Sequence, residues 1–210
     1  MRFLDVRIAS PDPGRAAAFY LSALEGLAAD DGVRIGATTL RFEHATPPAP
    51  YHVAFAIPPG SIRSAFEWAQ PRLALLSREI FDFSNWNADA LYFEDPDGNV
   101  LELIARKGPG RAFAASDLVG VCELGLPVRD PPTAVATLED ELGLDVFDGD
   151  RNTFTAVGDP DGLFIVVRPG RNWLPTELAA AESPAAVTVE TPRRGEVQLG
   201  PVTVVSRTPR

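Results

Sequence analysis

The chain has 210 residues, 45% of them apolar, which is enough to bury the core of one large domain or two small ones. A formal charge of −10 with no Lys/Arg cluster argues against nucleic acid or an anionic membrane as the main partner, leaving small molecules or other proteins. The single cysteine, Cys122, cannot form an internal disulfide, MRFLDVRIAS lacks the apolar core of a signal peptide, and no apolar run is long enough to span a bilayer, so a soluble cytoplasmic protein is expected.

Three successive units are predicted, each a short strand, a turn rich in Pro and Asp, an amphipathic helix, and further strands. In the first, LDVRIAS (4–10) is the strand; Asp12 is placed to cap a helix that Pro13 begins and Gly26 ends, with Ala16, Phe19, Tyr20, Ala23 and Leu24 as its apolar stripe. RIGATTLRFEH (34–44) closes the unit. In the second, YHVAFAIP (51–58) leads to a helix capped by Ser61, with Ile62, Ala65, Phe66 and Ala69 on one face and Pro71 near the end. The strands of NADALYFEDPDGNVLELIAR (87–106) follow, and its Asp95-Pro96-Asp97-Gly98 has the residues of a type I turn joining an antiparallel pair.

The third unit starts at CELGLPV (122–128). Asp130 caps its helix, Pro131 begins it, Val135, Leu138 and Leu142 form the stripe, and Gly143 stops it. NTFTAVGDPDGLFIVVR (152–168) then repeats the DPDG hairpin. The tail, with AVTVE, EVQL and PVTVVS within 186–206, supplies strands but no helix and reads as a truncated fourth copy. The expected fold class is α+β, built of three βαβββ units and a partial fourth. ATPPAP (45–50), KGPGRAFAAS (107–116) and LPTELAAAESPA (174–185) read as linkers, and the second is the best domain boundary. It would leave units one and two paired in residues 1–106, with unit three and the tail in 117–210.

YHVAFAIP, ALYFEDPDGNVLELIAR and FYLSALEGL together resemble the vicinal oxygen chelate superfamily of glyoxalases, bleomycin and fosfomycin resistance proteins and extradiol dioxygenases. The resemblance covers most of residues 1–168, and DPDGNVLEL is its specific part. It implies that paired units curl into a cup of mixed sheet and that a divalent metal is held by residues on the first and last strands of the units.

Strand alternation can be read beside that resemblance. Val53, Phe55 and Ile57 share one face of their strand, which leaves His52, Ala54 and Ala56 on the other, and a histidine beside two alanines faces a space. Glu102 shares its face with Val100 and Ile104, where a carboxylate is costly unless a partner such as a metal ion meets it. The same first-strand slot holds Asp5 in unit one and Glu123 in unit three, and the last-strand slot holds Arg41 and Val166. The second DPDG copy, lacking the glutamate, reads as scaffold or cavity wall.

The expected metal set is Asp5, His52 and Glu102, with Glu102 also the candidate catalytic residue; if units two and three share the cup instead, Glu123 replaces Asp5. One imidazole and two carboxylates suit Fe²⁺, Mn²⁺, Zn²⁺ or Ni²⁺. The bland readings stand beside these: a hydrogen-bonded strand histidine at 52, a solvated carboxylate at 102, an ion pair of Asp5 with Arg7 and Arg41, and an ion pair or interface role for Glu123. Arg7 and Arg41 could instead hold an anionic substrate. Phe83 and Trp86, in FDFSNWN (81–87), could line an apolar ligand pocket or simply pack a loop.

Two functions follow from the resemblance. One is a metal-dependent lyase, isomerase or dioxygenase chelating a small oxygenated, aromatic or non-aromatic substrate. The other is a metal-free protein that sequesters a small molecule, as bleomycin resistance proteins do. The chain has only two histidines, His44 and His52, whereas extradiol dioxygenases use two histidines and one carboxylate, so ring cleavage is the weaker form of the first. A homodimer would cover exposed strand edges.

Overall fold

The computed structural model describes residues 1–45 and 50–209, so most of the first expected linker, 46–49, lies outside the described residues. Unit one comprises β1 (Arg2–Ser10), α1 (Pro13–Ser22), β2 (Leu27–Ala29), β3 (Gly32–Ile35) and β4 (Thr38–His44). Unit two comprises β5 (His52–Ile57), α2 (Ile62–Ala69), β6 (Ala74–Leu75), β7 (Phe81–Phe83), β8 (Ala88–Glu94) and β9 (Val100–Arg106). Unit three comprises β10 (Gly120–Pro127), α3 (Pro131–Leu142), β11 (Val146–Gly149), β12 (Phe154–Asp159) and β13 (Gly162–Val167). The tail adds β14 (Ala185–Glu190), β15 (Gly195–Leu199) and β16 (Val202–Arg207).

Helix starts follow the expected chemistry. Asp12 and Asp130 accept from the backbone N–H of Arg15 and Thr133, satisfying donors that the first turn leaves free, and Pro13 and Pro131 begin the helices. Ser61 behaves differently, because its hydroxyl donates to the Pro58 carbonyl at 2.7 Å and caps nothing. α3 ends at Gly143 in the left-handed region (φ 68°), as expected, but α1 ends at Ser22, before Gly26. Gly26 is required for another reason: a Cβ there would lie 2.5 Å from Val33 Cγ1, against the strand packed beneath the helix end.

In every unit the first strand pairs in parallel with the last: β1 with β4, β5 with β9, β10 with β13. The tail does the same with β14 and β16. Antiparallel strands then extend each unit outward, producing a sheet ordered β15-β16-β14-β1-β4-β3-β2 and another ordered β11-β12-β13-β10-β5-β9-β8-β6, with β7 also on β8. The architecture is the expected α+β with mixed sheets.

The pairing of units is a correction. β5 is antiparallel to β10 and β1 to β14, so units two and three share one sheet while unit one shares the other with the tail. Ladders therefore cross the expected boundary at 107–116 twice, and units one and two do not form a paired cup within residues 1–106. The physical reason is that each first strand uses one edge for its own last strand and leaves the other free. Pro and Gly in a linker mark where the chain leaves β9; they carry no information about which free edge the next strand takes.

The main core lies between the sheets. Val6 and Ile8 of β1, Val53 and Phe55 of β5, and Leu124 and Leu126 of β10 belong to one buried cluster. Phe3 meets Phe164 edge to face at 5.3 Å, and Tyr20 of α1 reaches Phe55 at 6.3 Å. A second cluster, including Ala54, Ala90, Tyr92, Ile104, Ile165 and Trp173, occupies the opposite face of the unit two–unit three sheet. Among the described residues no helix is long and apolar enough to cross a membrane.

Candidate metal centre

The second cluster lines a cavity of about 470 Å³, and its strand positions explain why it is hollow. On β5, alternation turns His52, Ala54 and Ala56 to this face, and two of these three side chains are single methyl groups. On β8 the same parity presents Ala88, Ala90 and Tyr92, again two methyls beside one long polar side chain. The signal that singles out His52 in the sequence would have found Tyr92 as well.

Three ionisable groups converge at the base of the cavity. His52, Glu102 and Glu123 are only 6%, 2% and 4% exposed, and one donor atom from each lies within 4.8 Å of the others. His52 Nε2 is 3.6 Å from Glu102 Oε2 and 3.9 Å from Glu123 Oε2. These distances are too long for hydrogen bonds, but they approach the separation of about 3.4 Å between two ligands on one tetrahedral ion with bonds near 2.1 Å.

The ladders explain the convergence. Glu102 on β9 lies beside Ala54, and Glu123 on β10 lies beside Ala54 from the other side, so one small residue on β5 separates the two carboxylates. His52 Nδ1 lies 3.2 Å from the Val100 carbonyl oxygen. A carbonyl only accepts, so Nδ1 donates there and Nε2 is turned toward the two carboxylates.

Such an arrangement lacks positive charge. Among the described residues neither carboxylate forms an ion pair with lysine or arginine, and Glu123 Oε1 is buried with no hydrogen-bond partner. Burial, followed by the charge of Glu123, pushes the Glu102 carboxyl well above the usual carboxylate range. Burial and then the two carboxylates likewise raise the Tyr92 hydroxyl, which stays protonated as a donor opposite Glu102 on the β8–β9 ladder. The Cys122 thiol is pushed up by the same burial and charges, and it sits as a small inert side chain in the cavity-side cluster. A divalent cation is the partner this donor set fits: two oxygen ligands, one nitrogen ligand and one orphaned buried oxygen.

Of the expected metal residues, His52 and Glu102 meet here and Asp5 does not. Asp5 lies on β1 in the other sheet, where Arg41 Nε donates to its Oδ2 at 2.6 Å; Glu123 takes the place expected for Asp5 because units two and three share the sheet. Arg7 and Arg41 also lie outside the cavity: Arg7 pairs with Glu43 at 3.0 Å and Arg41 with Asp5 and Asp31. Phe83 and Trp86 do line the cavity.

The last-strand slot of unit three is corrected by one residue. Gly125 on β10 pairs with Ile165, as Ala54 pairs with Glu102, so Ile165 is the counterpart of Glu102 and faces the cavity, while Val166 points into the core between sheets. The two hairpins differ in length: Glu94 pairs with Val100 across five residues, Asp159 with Gly162 across two, and matching DPDG to DPDG therefore misplaces the strand by one. The second copy serves as cavity wall through Ile165.

Trp173 had no signal in the sequence, since it lies in an irregular segment between β13 and β14. Its ring stacks on His52 with centroids 5.0 Å apart and planes 26° apart. Gly125 allows this approach, because a Cβ there would lie 2.7 Å from Trp173 Cη2 and 3.1 Å from His52 Cβ. With Nδ1 held below and the indole beside it, the imidazole has one orientation.

No family model matches the chain's sequence, and no curated protein sequence matches it. Solved structures do resemble it in fold. A protein provisionally named a dioxygenase, from Bacillus subtilis subsp. subtilis str. 168, superimposes with a TM-score of 0.66 at 11% identity, over 100% of this chain and 86% of the other. Glyoxalase I from Zea mays superimposes with a TM-score of 0.56 at 15% identity, over 98% of this chain and 92% of the other. A single-residue mutant of that maize enzyme superimposes with a TM-score of 0.59 at 14% identity, over 98% and 93%. Agreement over nearly the whole of both chains, together with first and last strands paired in parallel within each unit, shows that this chain has the vicinal oxygen chelate fold.

Proposed function

We propose that the protein is a divalent-metal-dependent enzyme of the glyoxalase or dioxygenase type, acting on a small substrate that presents two adjacent oxygens. The observation that supports this reading above all is the buried meeting of His52, Glu102 and Glu123 with no lysine or arginine paired to either carboxylate among the described residues. These three residues would hold the ion, which suits Mn²⁺, Fe²⁺, Zn²⁺ or Ni²⁺. When bound, it supplies Lewis-acid polarisation of a substrate oxygen.

The chain's own residues do the remaining work. The Val100 carbonyl and the Trp173 ring fix His52, and Tyr92, protonated, can donate to Glu102 and orient its carboxylate. Glu102 is the candidate catalytic residue, because its carboxyl group lines the cavity beside His52 and Glu123 and faces the substrate space. Phe83, Trp86, Ile104, Phe154 and Ile165 wall the cavity with apolar surface, which suits a flat substrate body and keeps water out.

The test is elemental analysis of protein purified without chelator, beside His52→Ala and Glu123→Ala. Near-stoichiometric metal in the wild type, lost in both variants, is the expected result. Folded wild-type protein that carries no metal and takes up none when Mn²⁺, Fe²⁺, Zn²⁺ or Ni²⁺ is added would overturn it and leave ligand sequestration as the function of the cavity.

A further inference from the structure

We propose that the cavity is built for a planar aromatic carboxylate, with Arg171 holding the carboxylate at the mouth while the other end of the molecule faces His52, Glu102 and Glu123. The part concerning that other end rests on the metal-dependent reading above. The part concerning Arg171 stands on its own observations.

Three charged side chains line the mouth: Asp82, Asp148 and Arg171. Both aspartates are already engaged. Asp82 accepts from Lys107 Nζ at 2.7 Å and from Ser84 Oγ at 2.6 Å, and Asp148 accepts from Trp86 Nε1 at 2.6 Å and from the Gly149 N–H at 2.8 Å. Arg171 is different. Among the described residues its side chain has no ion pair and no hydrogen bond, and its guanidinium lies over the Phe154 ring at 5.0 Å from the centroid. The ring face holds the cation in place but satisfies none of its N–H donors.

A guanidinium with a free fork of donors matches a carboxylate in plane, two N–H groups to two oxygens. Arg34, Arg63 and Arg78 also stand without an ion pair among the described residues, but Arg171 is the one arginine that lines the cavity, so its free donors face the ligand space. The cavity that Arg171 and the buried carboxylates line is also lined by the flat rings of Phe154, Trp86, Tyr92 and Trp173. A single aromatic ring fits a cavity of about 470 Å³, and aromatic walls favour it over an aliphatic chain. Apart from His52, Arg171 is the one basic residue lining the cavity, so the carboxylate end of the ligand is directed to the mouth.

Calorimetric titration of the full chain with benzoate and benzamide, metal-free and Mn²⁺-loaded, tests the Arg171 half. The expected result is benzoate binding about tenfold or more tighter than benzamide. That preference should vanish in Arg171→Gln and survive in part in Arg171→Lys. Equal affinities for acid and amide, a preference that persists in Arg171→Gln, or no binding of benzoate would each overturn the proposal. Titration with 3,4-dihydroxybenzoate separates the two halves: its affinity should exceed that of benzoate only with Mn²⁺ present. If the adjacent hydroxyls add nothing with Mn²⁺ while the Arg171-dependent preference remains, the carboxylate subsite stands and the metal-facing half falls.

Discussion

The two sheets carry the same strand plan and put opposite chemistry on it. On the sheet shared by unit one and the tail, Asp5, Arg7 and Arg41 occupy the positions that His52, Ala54 and Glu102 occupy on the sheet shared by units two and three. Long cations at two of the three positions reach the neighbouring acids, so Arg41 neutralises Asp5 and Arg7 pairs with Glu43 on a partly exposed face. On the other sheet a methyl group stands where Arg7 stands, neither acid has a lysine or arginine ion pair among the described residues, and Trp173 stacks on His52. Exposure turns like residues into solvated ion pairs; burial with an alanine at the centre leaves two carboxylates beside an imidazole with no lysine or arginine partner.

The comparison breaks most visibly at the metal. His52→Ala and Glu123→Leu each remove one of three donors and should weaken Mn²⁺ binding by at least about a hundredfold. Asp5→Ala, altering the corresponding slot of the other sheet, should leave it unchanged in the same calorimetric titration. A loss in Asp5→Ala equal to that in the other two would mean that the sheets do not divide the chemistry in this way.

Gly125→Ala addresses the cover of the site. The added Cβ meets the Trp173 ring at 2.7 Å, and either the ring or strand β10 must shift, at a cost of about 1–3 kcal/mol. Thermal unfolding should move down by roughly 2–4 °C per kcal/mol, with altered tryptophan fluorescence because the indole leaves His52. An unchanged melting temperature and emission spectrum would refute the packing of Trp173 on Gly125 and His52.

Much of this was legible before any coordinates. Asp-Pro punctuation located α1 and α3, and alternation placed His52 and Glu102 on one face because period two leaves a strand no freedom in the matter. The pairing of units was not legible: β1 and β5 offer the same kind of free edge, and the choice between them depends on contacts spread across both sheets. Glu123 was therefore visible as a candidate but could not be ranked above Asp5. Trp173 and Arg171 come from an irregular segment that follows no period, so their approach to the cavity is set by tertiary packing alone. Val166 was misplaced because hairpin loops of different length share the tetrapeptide DPDG.

Titration gives a smaller and signed effect. A carboxyl whose pKa is raised on folding keeps a proton in the folded chain at pH values where the unfolded chain has lost it. For Glu102 this means that stability of the metal-free protein falls as pH rises above the ordinary value of 4.5 and levels off once the folded-state pKa is passed. Glu102→Gln should raise the stability of the metal-free protein near neutral pH by about 1 kcal/mol and flatten this decline. A residual slope should remain from Asp95, which burial also pushes up. Bound metal reverses the sense, since it requires both carboxylates deprotonated. A pH profile of melting temperature identical in wild type and Glu102→Gln would show that Glu102 is not held in an unfavourable charged environment.

The smallest effect belongs to the other sheet. Arg41→Ala removes the partner of Asp5, but Asp5 remains about a quarter exposed and water replaces the lost hydrogen bond. The expected change is about 0.2–1 kcal/mol of stability, weaker at high salt, with no change in metal content. The contrast with Glu102 is the informative quantity, since Arg41 and Glu102 hold equivalent places in their sheets. If Arg41→Ala instead destabilised the protein by several kcal/mol without salt dependence, the unit one–tail sheet would be a buried charged site in its own right, and exposure would not be what separates the two.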